Sequence, residues 1–194
     1  MRISLTFDTE HPDKPCRPGN TLRRLDDLAF AGVKATFFIQ GLWAQAYPEL
    51  TQRIVRDGHA IANHSWWHAS TTLHTDEGVR LTVTKTEDVL KRLTGARTRL
   101  FRPPYGNGLE DERVIRIVES LGYDVVGWDV DSEDWDPAMT ADRLLERVPA
   151  QLETAGGNPV IVFHSWPDCS ADALPELIFD LRRRGCEFSV MEPS

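Results

Sequence analysis

Seven short apolar runs recur along this chain, all but the last followed by a segment of helical periodicity, and no hairpin turn joins one run to the next. This alternation constrains the fold more than any other feature. Strands linked through helices must run parallel, because only a crossover of a dozen or more residues returns the chain to the start of its neighbour. Ile3 to Phe7 opens the series, ending in the polar loop Asp8-Thr9-Glu10-His11-Pro12-Asp13. A helix capped by Asn20, with Leu22, Leu25, Leu28 and Ala29 on one face, closes at Gly32. A second strand, Lys34 to Ile39, precedes helical sequence from about Leu42 to Asp57 and a stop at Gly58. The third strand leads through His59-Ala60-Ile61-Ala62 into Asn63-His64-Ser65-Trp66-Trp67-His68. Thr75-Asp76-Glu77 starts a helix that runs to about Leu93 and ends at Thr94-Gly95, and Leu100-Phe101 is the fourth strand. A helix from Asp111 to Leu121 stops at Gly122, and Tyr123 to Trp128 reads as the fifth strand. Thr140 caps the next helix, Pro159 to Phe163 is the sixth strand, and a helix near Leu174 to Arg184 leads to the last, Glu187 to Val190.

The expected fold is therefore α/β, a distorted (β/α) barrel of about seven parallel strands that need not close; a doubly wound open sheet is the competing architecture. At 194 residues and 41% hydrophobic content, with no shift of composition, residues 1–194 read as a single domain. The net charge of −8 argues against nucleic acid or an anionic membrane as partner, since both need basic patches. No apolar run is long enough to insert into a membrane. The first residues form a strand pattern rather than an export signal, and Cys16, Cys169 and Cys186 make no disulfide framework. A cytoplasmic setting is expected, with export open if the sequence is a trimmed piece.

Five strands end in polar clusters, and the carboxyl ends of parallel strands share one face, so one site built from five loops is expected. His64 and His68, four apart, would lie on one side of a helical turn and could reach the same divalent cation.

The order of these clusters resembles the polysaccharide deacetylases with a NodB-homology domain, carbohydrate esterase family four. Thr6-Phe7-Asp8, His64-Ser65-x-x-His68, Arg102-Pro103-Pro104-Tyr105, Asp131-x-x-Asp134-Trp135 and Val162-Phe163-His164 match its five motifs in sequence, across nearly the whole chain. The resemblance implies a distorted barrel and a hydrolase that removes acetyl groups from an N-acetylated saccharide of chitin or peptidoglycan type. It implies one divalent metal ion, zinc by preference with other divalent transition metals allowed, on His64 and His68. It implies Asp8 as base with Arg102 as its partner, His164 as acid with Asp134 as its partner, and the Tyr105 N–H as oxyanion donor. Trp135 would wall the acyl pocket, and Tyr105 and Trp166 are further candidates to touch substrate.

The chain departs from that family at Val162, where Leu is usual, and at one point that bears on the metal. Asp8-Thr9 stands where the usual motif is Asp-Asp, whose second member is the third metal ligand. Glu10, His11 or Asp8 could take that place, or the metal could be weak or absent; Glu10 is preferred because zinc commonly takes carboxylate oxygen. Two rival functions stand beside the deacetylase: hydrolysis of a small non-sugar amide or of O-acetyl esters, and a retired scaffold that only binds carbohydrate. Oligomeric state is not legible. The less specific readings are a turn cap for Asp8, a hydrogen-bonded pair for the two histidines, a structural ion pair for Arg102 and Asp134, and a core histidine at 164.

Overall fold

The computed structural model describes residues 1–193. Its elements run β1 (Arg2–Thr9), α1 (Asn20–Ala31), β2 (Thr36–Ile39), α2 (Gly41–Ala46), α3 (Pro48–Arg56), β3 (Ala60–Asn63), α4 (Asp76–Thr94), β4 (Leu100–Phe101), α5 (Glu112–Ser120), β5 (Asp124–Val125), β6 (Val130–Asp131), α6 (Ala141–Leu152), β7 (Val160–His164), α7 (Asp168–Arg183) and β8 (Glu187–Phe188). All strand pairs are parallel, in the order β5-β4-β3-β2-β1-β7-β6, with β8 on the first residues of β1.

That order settles barrel against open sheet. The edge strands β5 and β6 lie next to each other in sequence, and the five steps from Val125 to Val130 can span at most roughly 18 Å. A flat seven-strand path would hold its edges roughly 29 Å apart at about 4.8 Å per strand. The sheet must curl, and the result is the distorted, incomplete barrel expected, open between β5 and β6. The run Tyr123 to Trp128 is correspondingly not one strand: it breaks after Val125, and the chain crosses the open seam before pairing again at Val130.

Two surfaces follow from the alternation of side chains along each strand. Outward, Phe7 stacks between Phe37 and Phe163 of its neighbours, at centroid distances of 5.1 and 5.8 Å, under the helical layer. Inward, Phe38, Ala62 and Leu100 form a small apolar floor. Above that floor Arg102 is fully buried, its guanidinium 3.9 Å from the Phe38 ring.

Several boundaries shift for local reasons. Pro48 starts a new helix, which splits the expected Leu42–Asp57 segment into α2 and α3 around Tyr47. Thr75, Asp111 and Thr140 cap α4, α5 and α6 through their side chains. Asn20 does not cap α1: left-handed Gly19 takes that position, and the Asn20 amide is spent on the Trp166 carbonyl and Asp168.

Candidate active site

Strand register sets the first pair. Asp8 and His164 are direct partners on adjacent strands β1 and β7, so their side chains emerge side by side at the carboxyl end of the sheet. One residue past paired Asn63 and Phe101, His64 and Arg102 leave β3 and β4 in the same way. Arg102 reaches across the barrel interior to donate from Nη1 to Asp8 Oδ1 at 2.7 Å and to Thr6 Oγ1 at 2.9 Å, and from Nη2 to the Gly127 carbonyl at 2.8 Å. The guanidinium supplies the countercharge for Asp8 and leaves its other oxygen, Oδ2, 3.6 Å from His64 Nε2.

His64 and His68 are not on a helical turn. They lie in an irregular loop after β3, and the imidazoles converge, centroids 5.0 Å apart, because Ser65 and His68 adopt positive φ of 64° and 56°. The loop is held at nearly every polar group. Ser65 N–H donates to Asn63 Oδ1, Trp66 N–H to Thr82 Oγ1 and His68 N–H to Ser65 Oγ, while the first amides of α2, Gly41 and Leu42, donate to the carbonyls of Ser65 and Trp66. Gly41 is required for that approach, since a Cβ there would lie 2.3 Å from the Trp66 ring. Tyr105 (φ 59°) and Glu133 (φ 53°) are the other non-glycine residues at positive φ among those described. All four sit in loops at strand carboxyl ends around this site, each at a cost of about 1–2 kcal/mol, and such concentrated strain marks a functional region.

Glu10 joins the two histidines. Its Oε2 lies 2.6 Å from His68 Nε2 and 3.4 Å from His64 Nε2, and the three donor atoms fall within 4.8 Å of one another. His64 Nδ1 is occupied by the Arg102 carbonyl at 2.8 Å, so Nε2 carries the lone pair that faces Glu10. Both His64 Nε2 and Glu10 Oε2 are buried without a hydrogen bond. Burial favours a neutral Glu10, but the adjacent His64 and His68 outweigh it and hold the carboxyl well below the usual range. Burial likewise lowers and the charges of Asp8 and Glu10 raise His64, with a net upward shift. Two imidazoles and an ionised carboxylate with converging donor atoms fit a divalent cation of the zinc type. Thr9 takes no part, its hydroxyl donating to the Phe7 carbonyl, and His11 is turned towards Tyr47.

Opposite this cluster, His164 Nδ1 meets Asp134 Oδ1 at 2.7 Å, which leaves Nε2 for the cleft. Burial pulls the imidazole pKa down, but the Asp134 charge and hydrogen bond, with Glu10 and Asp8 behind them, raise it to about 9. The groups enclose a cleft of about 350 Å³ lined by Asp8, Glu10, His68, Tyr105, Trp135 and His164, among others. Tyr105 and Trp135 are exposed at its mouth, with Tyr105 4.5 Å from the His68 ring.

A family model described as polysaccharide deacetylase matches residues 1–126. The chain belongs to that family. A peptidoglycan-N-acetylglucosamine deacetylase of Bacillus cereus is 34% identical over 96% of the chain, which spans 65% of that relative's length. A family 4 carbohydrate esterase from Streptomyces lividans, solved in complex with acetate, superposes with a TM-score of 0.86 at 29% identity, covering 99% of this chain and 93% of the other. A mutant with restored enzymatic activity of a family 4 pseudoenzyme from Bacillus anthracis superposes at 0.87 with 25% identity, over 98% of this chain and 65% of the other.

Within this polysaccharide deacetylase fold, Trp166 departs from the expected sugar contact. It borders the cleft but is only 7% exposed, and its indole N–H donates to Glu10 Oε1 at 3.2 Å, so the ring fixes a carboxylate rather than offering a stacking face. Sequence reasoning missed Ser170, whose hydroxyl donates to Asp134 Oδ2 at 2.6 Å, as well as Asp13 and Lys14 in the cleft wall. Lys14 Nζ donates to the Trp135 carbonyl and lies 5.7 Å over its ring, a contact between residues 121 positions apart that no local pattern announces.

Proposed function

We propose that the chain is a metal-dependent hydrolase that removes the acetyl group from an N-acetylated amino sugar in a peptidoglycan-type glycan, giving acetate and the free amine. One observation carries this reading. A carboxylate paired with Arg102 and an imidazole paired with Asp134 face one cleft beside a three-donor cluster, Glu10, His64 and His68. A structural ion-pair network would not need three ligand-type donor atoms converging on one point, and a glycan-binding surface would need neither the acid nor the base.

Glu10, His64 and His68 would hold the cation, zinc by preference. When bound, it would polarise the acetyl carbonyl and make a nearby water easier to deprotonate. Asp8, tethered through Oδ1, accepts the proton of the attacking water on Oδ2. The Tyr105 loop, fixed at positive φ, would present its backbone N–H to the developing oxyanion. His164, with Nδ1 committed to Asp134, delivers its proton from Nε2 to the departing nitrogen as the C–N bond breaks. Exposed Tyr105 and Trp135 offer ring faces to the sugar at the cleft mouth. The name of the Bacillus cereus relative supports a peptidoglycan substrate.

The test is acetate release from N-acetylglucosamine oligomers and from purified peptidoglycan by the zinc-loaded protein, with loss of the acetyl group followed by mass spectrometry. Release from a small amide or an acetyl ester alone would move the substrate class. The resemblance to a pseudoenzyme makes the other outcome concrete: metal bound and no release on any of these would favour a retired, glycan-binding protein.

A further inference from the structure

Arg24 of α1 is fully buried, yet among the described residues no carboxylate oxygen lies within 4.0 Å of it. A lone buried guanidinium is costly, and an apolar residue among neighbours such as Leu25 and Leu28 would avoid the cost. The charge is used instead on the segment that follows His164. Nη1 donates to the Ser165 carbonyl at 2.8 Å, and Nη2 donates to the Pro167 carbonyl and to Ser170 Oγ, both at 2.6 Å.

Those bonds fix the direction of the next one. A guanidinium can only donate, so Ser170 Oγ accepts from Arg24, and its own proton goes to Asp134 Oδ2 at 2.6 Å; the other acceptor in reach, the Pro167 carbonyl, is at 3.5 Å. Asp134 then faces donors on both oxygens, from Ser170, from the His164 N–H at 3.0 Å and from His164 Nδ1 at 2.7 Å. With a donor on each oxygen the carboxylate plane is fixed, and one oxygen is aimed at His164 Nδ1.

We propose that Arg24 and Ser170 are positioning residues for His164, acting through Asp134 to hold that carboxylate aimed at the imidazole. The proposal rests on the acid role given to His164 above. The other charges that face His164 are Asp8 and Glu10 from the end of β1, and neither touches Arg24 or Ser170.

Ser170→Ala, Ser170→Thr and Arg24→Met, each in the zinc-loaded full chain, test this through the pH–rate profile and through NMR titration of the His164 ring. Ser170→Ala and Arg24→Met should each shift the His164 pKa, move the basic limb of activity with it and reduce kcat by roughly tenfold or more with KM little changed. Ser170→Thr keeps the hydroxyl and should restore the wild-type limb. Ser170→Ala deletes a single oxygen and remains decisive if Arg24→Met fails to fold. An unchanged His164 titration in Ser170→Ala, or a Ser170→Thr variant as impaired as the alanine, would overturn the proposal. Should the wild type release no acetate, the deacetylase reading falls, while the NMR titration still decides whether Arg24 and Ser170 govern His164.

Discussion

On the β1 and β3 side of the cleft, Glu10 Oε2 and His64 Nε2 are buried without a hydrogen bond and the connecting loop carries two residues at positive φ. On the β6 and β7 side, both oxygens of Asp134 are met by donors that trace back to α1 and α7. An unsatisfied buried polar atom costs about 1–3 kcal/mol, so the first half holds a penalty that a ligand can relieve, whereas in the second the Asp134 carboxylate is already satisfied and only Arg24 Nε and Ser165 Oγ behind it are not. On the function proposed, one half would hold the cation and the other would transfer the proton. The two should therefore respond to different perturbations.

The largest separation should come from His64→Ala combined with His68→Ala. Elemental analysis should find about one divalent cation per wild-type chain and none in the double variant, whose turnover should fall by more than about four orders of magnitude. Unchanged metal content would remove the cation from the first half and leave its orphaned atoms unexplained. Next come the proton-transfer groups. Asp8→Asn and His164→Ala should each reduce kcat by roughly two to four orders of magnitude while keeping the metal. Loss of metal from His164→Ala would break the division between halves.

A smaller effect separates neighbours within β1. Glu10→Gln should weaken metal affinity by roughly ten- to a hundredfold, whereas Thr9→Ala, which deletes a hydroxyl bonded only to the Phe7 carbonyl, should change it little. Competition titration with a chelating dye measures both. Equal affinities for Glu10→Gln and the wild type would mean that the cation sits elsewhere.

The same division explains what could be read from the sequence. Strand ends were legible because an apolar run ending in Asp8, His64, Arg102 or His164 announces itself locally, and the alternation with helices made those ends share a face. The seam was not: Tyr123 to Trp128 reads as one strand, but only Asp124 and Val125 pair, with β4, and the chain pairs next at Val130, with β7 on the opposite edge. Spacing brought His64 and His68 together for the wrong reason, since a helical turn and a loop with two left-handed residues both place positions i and i+4 close. The support behind Asp134 was invisible because Arg24 and Ser170 are joined to it by hydrogen bonds between residues far apart in sequence, and each reads locally as an ordinary helix residue.

The smallest expected effect is the one that most sharpens the contrast, because pH should act on the two halves in opposite directions. His164 is raised to about 9 from an ordinary value near 6.5, so the folded state binds its proton more tightly than the unfolded chain does. The stabilisation is complete below about pH 6.5 and is lost as pH rises through about 9. In the metal-free protein it is on the order of 3 kcal/mol, taking about 1.4 kcal/mol per pKa unit, and it should shrink once a cation takes up the charge of Glu10. Activity should lose its basic limb over the same range, with the limb reporting the coupled site rather than one residue. The metal half should fail at the other end, since protons compete for His64 and His68 as pH falls. Urea midpoints between pH 5 and 10, with and without zinc, separate these contributions: His164→Ala should flatten the alkaline decline and leave the acid-side difference between zinc-loaded and metal-free protein intact. An alkaline decline that survives His164→Ala would assign it to other groups, and the acid half of the site would then be less preorganised than its hydrogen bonds imply.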